Sequence, residues 1–315
     1  MYIYCVYFFL LRIAAFFGHR KAKLLVRGQK EAIQQIRAYK QEHPFDNVIW
    51  FHAASVGEFE QARPIIERLR KEHPQTHILL TFFSPSGYEL RKNYDQADLV
   101  TYLPFATVRN AIRFIEEVRP AMAIFVKYEF WPAYLKELHR HGVQTYSISA
   151  IFRPKQLFFL PWGKPYLRLL HCFTHLYVQD NSSKELLLKH GIKHVSMAGD
   201  TRFDRVNEIA SHAKQLPVVE RFTQGVTWVI IAGSTWPQDE ELLAQYIDTH
   251  PDTKLVLVPH EIHEDHLHTI FQIFHGRYVR YTEATPLNIE HCQTLLIDTI
   301  GMLSSIYQYG HVAYI

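Results

Sequence analysis

The chain has 315 residues, enough for two domains that each bury a core, and is 48% hydrophobic against 21% charged, without a low-complexity tract. A net charge of +3 is too small to point to nucleic acid as a partner. Cys5, Cys172 and Cys292 form no CxxC pair and the twenty histidines no HExxH motif, which argues against a disulfide scaffold and leaves no metal site expected.

Residues 2–17 are almost wholly apolar and aromatic, interrupted by Arg12, and a basic patch follows at His19, Arg20, Lys21, Lys23 and Arg27. A cleaved signal peptide carries its positive charge before the apolar run, and a bilayer span needs about 20 apolar residues. Two readings remain: an ordinary buried N-terminal helix, or a helix lying in the cytoplasmic leaflet with its basic flank on anionic headgroups. The density of Tyr and Phe favours the second, so residues 1–28 are read as a membrane-associating helix.

A polar helix is expected over 29–41. Short apolar strands then alternate with helices: strands at 48–51, 77–83, 99–103, 121–126, 144–149, 176–178 and 195–198, helices at 60–71, 88–93, 108–118, 131–141, 166–172 and 184–190. That rhythm predicts a mostly parallel sheet covered on both faces. It restarts at Thr227, with strands at 228–232, 254–258, 278–281 and 295–298 and helices at 239–248 and 263–274. The expected class is α/β, with a first Rossmann-like domain over 29–212, a linker over 213–226 containing Pro217, and a smaller second Rossmann-like domain over 227–315, the two facing a cleft.

Chemistry is expected in the turns after the strands, where backbone N–H groups converge on a helix start. In Ile49-Trp-Phe-His-Ala-Ala-Ser-Val-Gly-Glu-Phe-Glu60 a strand, a small-residue turn and a helix carrying Ala62, Ile65, Ile66 and Leu69 follow one another. Glu58 at that helix mouth is either a first-turn acid complementing the helix dipole or a positioned base. The turns Ser84-Pro85-Ser86-Gly87 and Gly233-Ser234-Thr235 offer hydroxyls and N–H groups that suit phosphate or carboxylate oxygens, or serve as helix caps. None is a P-loop or a GxGxxG turn, so a dinucleotide dehydrogenase is not supported.

The stretches WFHAASVGEFEQARPII, TFFSPSGYE, YEFWPAYL, SISAIFRP, GDTRFDRV, IAGSTWPQDEE, LVLVPHEI and LIDTIGMLSSIY occur in this order. Together they resemble the 3-deoxy-D-manno-octulosonic acid (Kdo) transferases of lipopolysaccharide assembly, over the whole chain to Ile315. The resemblance implies a GT-B glycosyltransferase that moves Kdo from CMP-Kdo to a tetraacyl lipid A precursor (lipid IV-A). It implies inversion at the anomeric carbon, no cofactor or metal, and work at the cytoplasmic face of the inner membrane. It makes Glu58 the general base. Ser55, Gly57, Ser84, Ser86, Gly87, Glu129 and Arg153 become acceptor contacts, and Arg202, Ser234, Thr235, His260 and Glu261 donor contacts.

Structural alternatives stand beside several of these. Gly57 could simply permit the turn, Ser84, Ser86 and Gly87 could cap a helix, and Glu129 could be a buried hydrogen-bond acceptor. Arg153 and Arg202 could bind the acceptor phosphate or the Kdo carboxylate, or pair with Asp200 and Asp204. Lys127 stands where many relatives carry an acid. The family pattern continues beyond Ile315, so a truncated second domain ending in a strand is expected. The rival functions are another GT-B sugar-nucleotide enzyme or an inactive truncated relative at the membrane.

Overall fold

Parallel strand pairing organises the computed structural model, which describes residues 2–44 and 47–315. The chain divides into two units, Met1–Asp204 and Arg205–Ile315. The first holds a seven-stranded sheet of β1 (Val48–Ala53), β2 (Ile78–Phe82), β3 (Leu99–Tyr102), β4 (Pro120–Val126), β5 (Gln144–Ala150), β6 (His175–Val178) and β7 (Val195–Met197). Their order is β3-β2-β1-β4-β5-β6-β7, all pairs parallel. Helices α1 (Tyr2–Phe16), α2 (Arg20–Glu42), α3 (Val56–Glu72), α4 (Pro85–Arg91), α5 (Val108–Val118), α6 (Pro132–Arg140), α7 (Lys164–Leu169) and α8 (Asn181–Lys189) accompany it.

Strand β1 is buried on both faces, and the two-residue alternation splits its side chains between two cores. Trp50 packs against Phe114 of α5, Phe125 of β4 and Tyr134 of α6, with ring centroids 4.7, 5.1 and 5.7 Å away. Phe51 faces the other way, into the cluster of Phe59 and Ile66 from α3 and Leu80 from β2. Each such side chain stabilises the fold by roughly 1.5–3 kcal/mol. Because β1 lies between β2 and β4, the strand order reverses there, and the crevice beyond the carboxyl ends of β1 and β4 is where open α/β sheets hold ligands.

The N-terminal boundary expected at residue 28 is corrected. Helix α2 begins at Arg20, so most of the basic patch is its first turns, and it continues unbroken past Gly28. Gly28 is where the helix meets the sheet: a Cβ there would stand 2.3 Å from the Tyr102 ring. Helix α1 docks by Phe8, whose ring lies 4.3 Å from that of Phe105, while Leu10, Ile13, Phe16 and Phe17 are exposed. The side chains of residues 2–7 and 9, and with them the aromatic cluster expected at an interface, lie outside the described residues. Among the described residues no helix is long and apolar enough to cross a membrane.

Helix α9 (Arg202–Ser211) runs through the junction of the two units. The second contains α10 (Pro217–Thr223), β8 (Trp228–Thr235), α11 (Pro237–Thr249), β9 (Thr253–Pro259), α12 (Glu264–Ile273), β10 (Val279–Arg280), α13 (Pro286–Glu290), β11 (Thr294–Leu296), α14 (Leu303–Ile306) and β12 (Val312–Tyr314). Its five parallel strands run β10-β11-β9-β8-β12. The linker expected over 213–226 is corrected too. Pro217 opens α10 rather than breaking the chain, and Val219 and Phe222 are fully buried in the second unit's core.

Candidate functional site

The turn after β1 is built by two reciprocal hydrogen bonds. Ser55 caps α3, its hydroxyl oxygen accepting from the Glu58 N–H at 3.4 Å. The Glu58 carboxylate turns back, and its Oε2 accepts from the Ala54 N–H at 2.5 Å. The Ala54 carbonyl accepts from the Ser84 N–H (2.8 Å), so the turns after β1 and β2 are tied together. Glu58 therefore is the first-turn acid of one sequence reading. It is also half-buried, and its pKa is pushed up to about 7. Burial is the largest cause and the charge of Glu129 the next; the Ala54 N–H bond, His52 and Lys127 pull the other way.

Gly57 lies inside α3 without a positive φ, and a Cβ there would meet nothing within 4 Å. The turn does not need glycine, which removes that alternative and leaves open space beside Glu58. Gly87 is the opposite case. It is buried in α4, and a Cβ would stand 2.7 Å from the Phe82 ring, so packing explains it. Ser84 caps α4 by accepting from the Gly87 N–H (3.1 Å), and its hydroxyl lies 3.0 Å from that of Ser86.

Across the strand-order reversal, the turn after β4 supplies Lys127, Glu129 and Trp131. Trp131 Nε1–H donates to Glu129 Oε2 (2.6 Å), and His52 Nε2 lies 3.0 Å from the same oxygen. On its other side, His52 Nδ1 lies 2.9 Å from the Thr81 hydroxyl and 3.1 Å from the Thr81 carbonyl. Trp50 Nε1–H donates to that hydroxyl in turn (2.8 Å). Glu129 takes the place given by its structural alternative, a buried hydrogen-bond acceptor, and it acts on Glu58 through its charge. Lys127 has the left-handed φ of 56°, rare outside glycine, and its charge also bears on Asp200.

Arg202 is engaged by Asp200 through three side-chain bonds of 2.5 to 3.1 Å, the pairing given as its structural alternative. The bonding Arg202 guanidinium holds the Asp200 carboxyl below the usual range. Arg153 is exposed beyond β5.

In the second unit, Ser234, the last residue but one of β8, is exposed and at φ 58°. Thr235 is buried, and its hydroxyl donates to Glu240 Oε1 (3.0 Å), whose Oε2 lies 2.9 Å from His266 Nε2. The Thr235 hydroxyl is thereby engaged inside the second unit, and the following helix starts only at Pro237, with Trp236 as its N-cap. His260 stacks on Trp236 (4.6 Å, 29°), and Glu261 Oε2 lies 3.0 Å from His263 Nε2. One ligand atom each from Glu261, His263 and His266 lie within 4.8 Å of one another.

Residues 27–205 match the family model of 3-deoxy-D-manno-octulosonic-acid transferase (kdotransferase), more than half of the chain. The chain belongs to the Kdo transferase family. Kdo transferases similar to it include that of Aquifex aeolicus, 26% identical over 84% of this chain and 68% of the relative. Those of Haemophilus influenzae and Chlamydia trachomatis serovar A are 22% and 23% identical over 85% of this chain and 64% of each relative. The chain thus spans about two thirds of the length of these curated relatives. The UDP-GlcNAc 2-epimerase of Neisseria meningitidis, solved bound to UDP-GlcNAc, superposes with a TM-score of 0.56 at 14% identity, over 84% of this chain and 76% of that one. The enzyme of that name from Methanocaldococcus jannaschii gives 0.50 at 14%, over 84% and 77%. These likenesses bear out the α/β fold of GT-B type.

For a Kdo transferase, the first sheet gathers Ser55, Gly57, Glu58, Ser84, Ser86, Gly87 and Glu129 at the carboxyl ends of β1, β2 and β4. Sequence reasoning missed the partners that tune Glu58. His52 was legible only as a polar residue inside an apolar strand, and the acid Glu129 and base Lys127 lie about 70 positions from Glu58. It also missed the Glu261-x-His263-x-x-His266 spacing that closes after β9.

Proposed function

We propose that the chain transfers Kdo from CMP-Kdo to a tetraacyl lipid A precursor, with Glu58 as general base. The observation that carries this reading is the half-buried Glu58 carboxylate, with a pKa pushed up to about 7 beside the open space at Gly57. A base whose pKa lies near the working pH is partly ionised and still basic enough to take a hydroxyl proton. In the step, the acceptor hydroxyl oxygen bonds to the anomeric carbon of Kdo while Glu58 receives its proton. The bond from that carbon to the phosphate oxygen breaks, and CMP leaves with the electron pair. Direct displacement inverts the centre without a sugar–enzyme intermediate.

The acceptor belongs with the first unit, where Ser55, Ser84 and Ser86 offer hydroxyls beside Glu58, and Arg153 is an exposed cation for its phosphate. The donor belongs with the second, where Ser234, His260 and Glu261 are exposed at strand ends. Arg202 reaches the donor only by sharing or leaving Asp200. The exposed Leu10, Ile13 and Phe16 of α1 and the adjoining Phe17, with the basic start of α2, suit the cytoplasmic leaflet that carries a lipid acceptor. The test is Kdo transfer from CMP-Kdo, generated in situ, to lipid IV-A in detergent. Wild type active with Glu58→Gln folded and inactive supports the reading. A Glu58→Gln rate equal to wild type removes Glu58 as the base, and a wild type that uses only other sugar nucleotides removes the donor.

A further inference from the structure

Past β9 the chain gathers three groups of metal-binding type on a framework prepared for them. We propose that Glu261, His263 and His266 bind a divalent transition-metal ion of the zinc class, at the strand end where Glu261 is also read as a donor contact. Their ligand atoms lie within 4.8 Å of one another, and Glu261 Oε2 and His263 Nε2 are already 3.0 Å apart. Ligand atoms around a tetrahedral zinc stand about 3.4 Å apart, since each lies about 2.1 Å from the ion. The gathering therefore needs only a small closing movement of two exposed side chains.

The nitrogen positions define what an ion must displace. His263 Nδ1 accepts from the His266 N–H (3.2 Å) as the cap of α12, so Nε2 carries the ring proton facing Glu261; an ion at Nε2 takes the place of that proton, which moves to Nδ1 and releases the cap bond. His266 is nearly buried, and its Nε2 is held at 2.9 Å by Glu240, which is fully buried and itself accepts from Thr235. A buried carboxylate that holds one ring nitrogen fixes the tautomer and leaves Nδ1 for an ion, the usual support behind a metal-bound histidine. Two imidazoles and one carboxylate select zinc-like ions over magnesium or calcium, which prefer all-oxygen sets. The positive end of α12 opposes a cation, but Glu264 and Asp265 in its first turn offset it. Arg280, the nearby cation, pairs with Glu264 at 3.6 Å. Three protein ligands leave a fourth position for water or an anionic oxygen.

The full chain, without a histidine tag and stripped with chelator, is titrated with zinc chloride by calorimetry, with and without excess Mg²⁺. One zinc should bind per chain and resist Mg²⁺. Affinity should fall at least tenfold in Glu261→Gln and in His263→Ala, and binding should be lost in the double variant. Both residues are exposed; Glu261→Gln leaves the α12 cap in place, and His263→Ala, which removes it, is checked for folding by thermal unfolding. Glu240→Gln, checked for folding, should weaken binding about 10–100-fold through the His266 ring. No zinc uptake by the wild type, displacement by Mg²⁺, or a double variant that binds like wild type would overturn the site, the last by assigning the ion to other histidines.

Discussion

The two units repeat one local design and finish it differently. After β1 an acid enters the first turn of α3; after β8 an acid enters the first turn of α11. In the second unit Glu240 is fully buried, and both its oxygens are taken, by Thr235 and His266. In the first, Glu58 keeps solvent access, has one backbone donor, and faces the like charge of Glu129. A helix-start carboxylate becomes structural when its partners neutralise it, and reactive when burial and a like charge press on it while one side stays open.

The largest expected effect separates the two acids by kind. Glu58→Gln should lower kcat by about 10²–10⁴ with folding intact, because the amide still accepts from the Ala54 N–H but takes no proton. Glu240→Ala should instead destabilise by about 3–5 kcal/mol in urea unfolding, since His266 and Thr235 lose a buried partner. Equal effects of the two substitutions on kcat would break the comparison.

The pH dependence should follow next. The base works ionised, so kcat/KM should rise about tenfold per unit up to about pH 7 and then level off. Glu129→Gln removes the neighbouring negative charge, favours ionised Glu58, and should move that inflection to lower pH. Stability carries the opposite sign. A carboxyl raised in the folded state favours folding fully below its unfolded value of about 4.5, and that contribution is lost as pH rises through about 7. Glu58→Gln should therefore gain on wild type across that window, by at most about 3 kcal/mol. An unchanged difference between pH 4.5 and 8 in thermal unfolding would contradict the shift.

The smallest effects belong to glycine. Gly57→Ala meets open space and no left-handed backbone, so it should be neutral or stabilising by about 0.4–1 kcal/mol while raising the acceptor KM. Gly87→Ala drives a methyl into the Phe82 ring and should destabilise by about 1–3 kcal/mol. Melting temperatures of the two variants read this directly.

The strand sequence of both sheets was legible because four-to-seven-residue apolar runs between helices carry the parallel α/β pattern locally. Glu58 was legible as a residue at a helix mouth. Its raised pKa was not, because the groups that set it come from another strand's turn. The reading failed where charge and proline were taken as breaks. The basic residues from Arg20 onward are the start of a helix whose inner face buries Ala22 and Leu25, and Pro217 sits where a helix accepts proline. Ser84 and Gly87 illustrate a third limit, since a cap and a ligand contact draw on the same residue types.

Ala54 is gripped on both sides, its N–H by Glu58 and its carbonyl by the Ser84 N–H. When Glu58 takes up a proton, its oxygen becomes a poorer acceptor, and the electron distribution of the peptide between Ala53 and Ala54 changes. The Ala54 amide resonance is thereby a built-in indicator of the charge on Glu58, readable in the resting protein before any sugar is present.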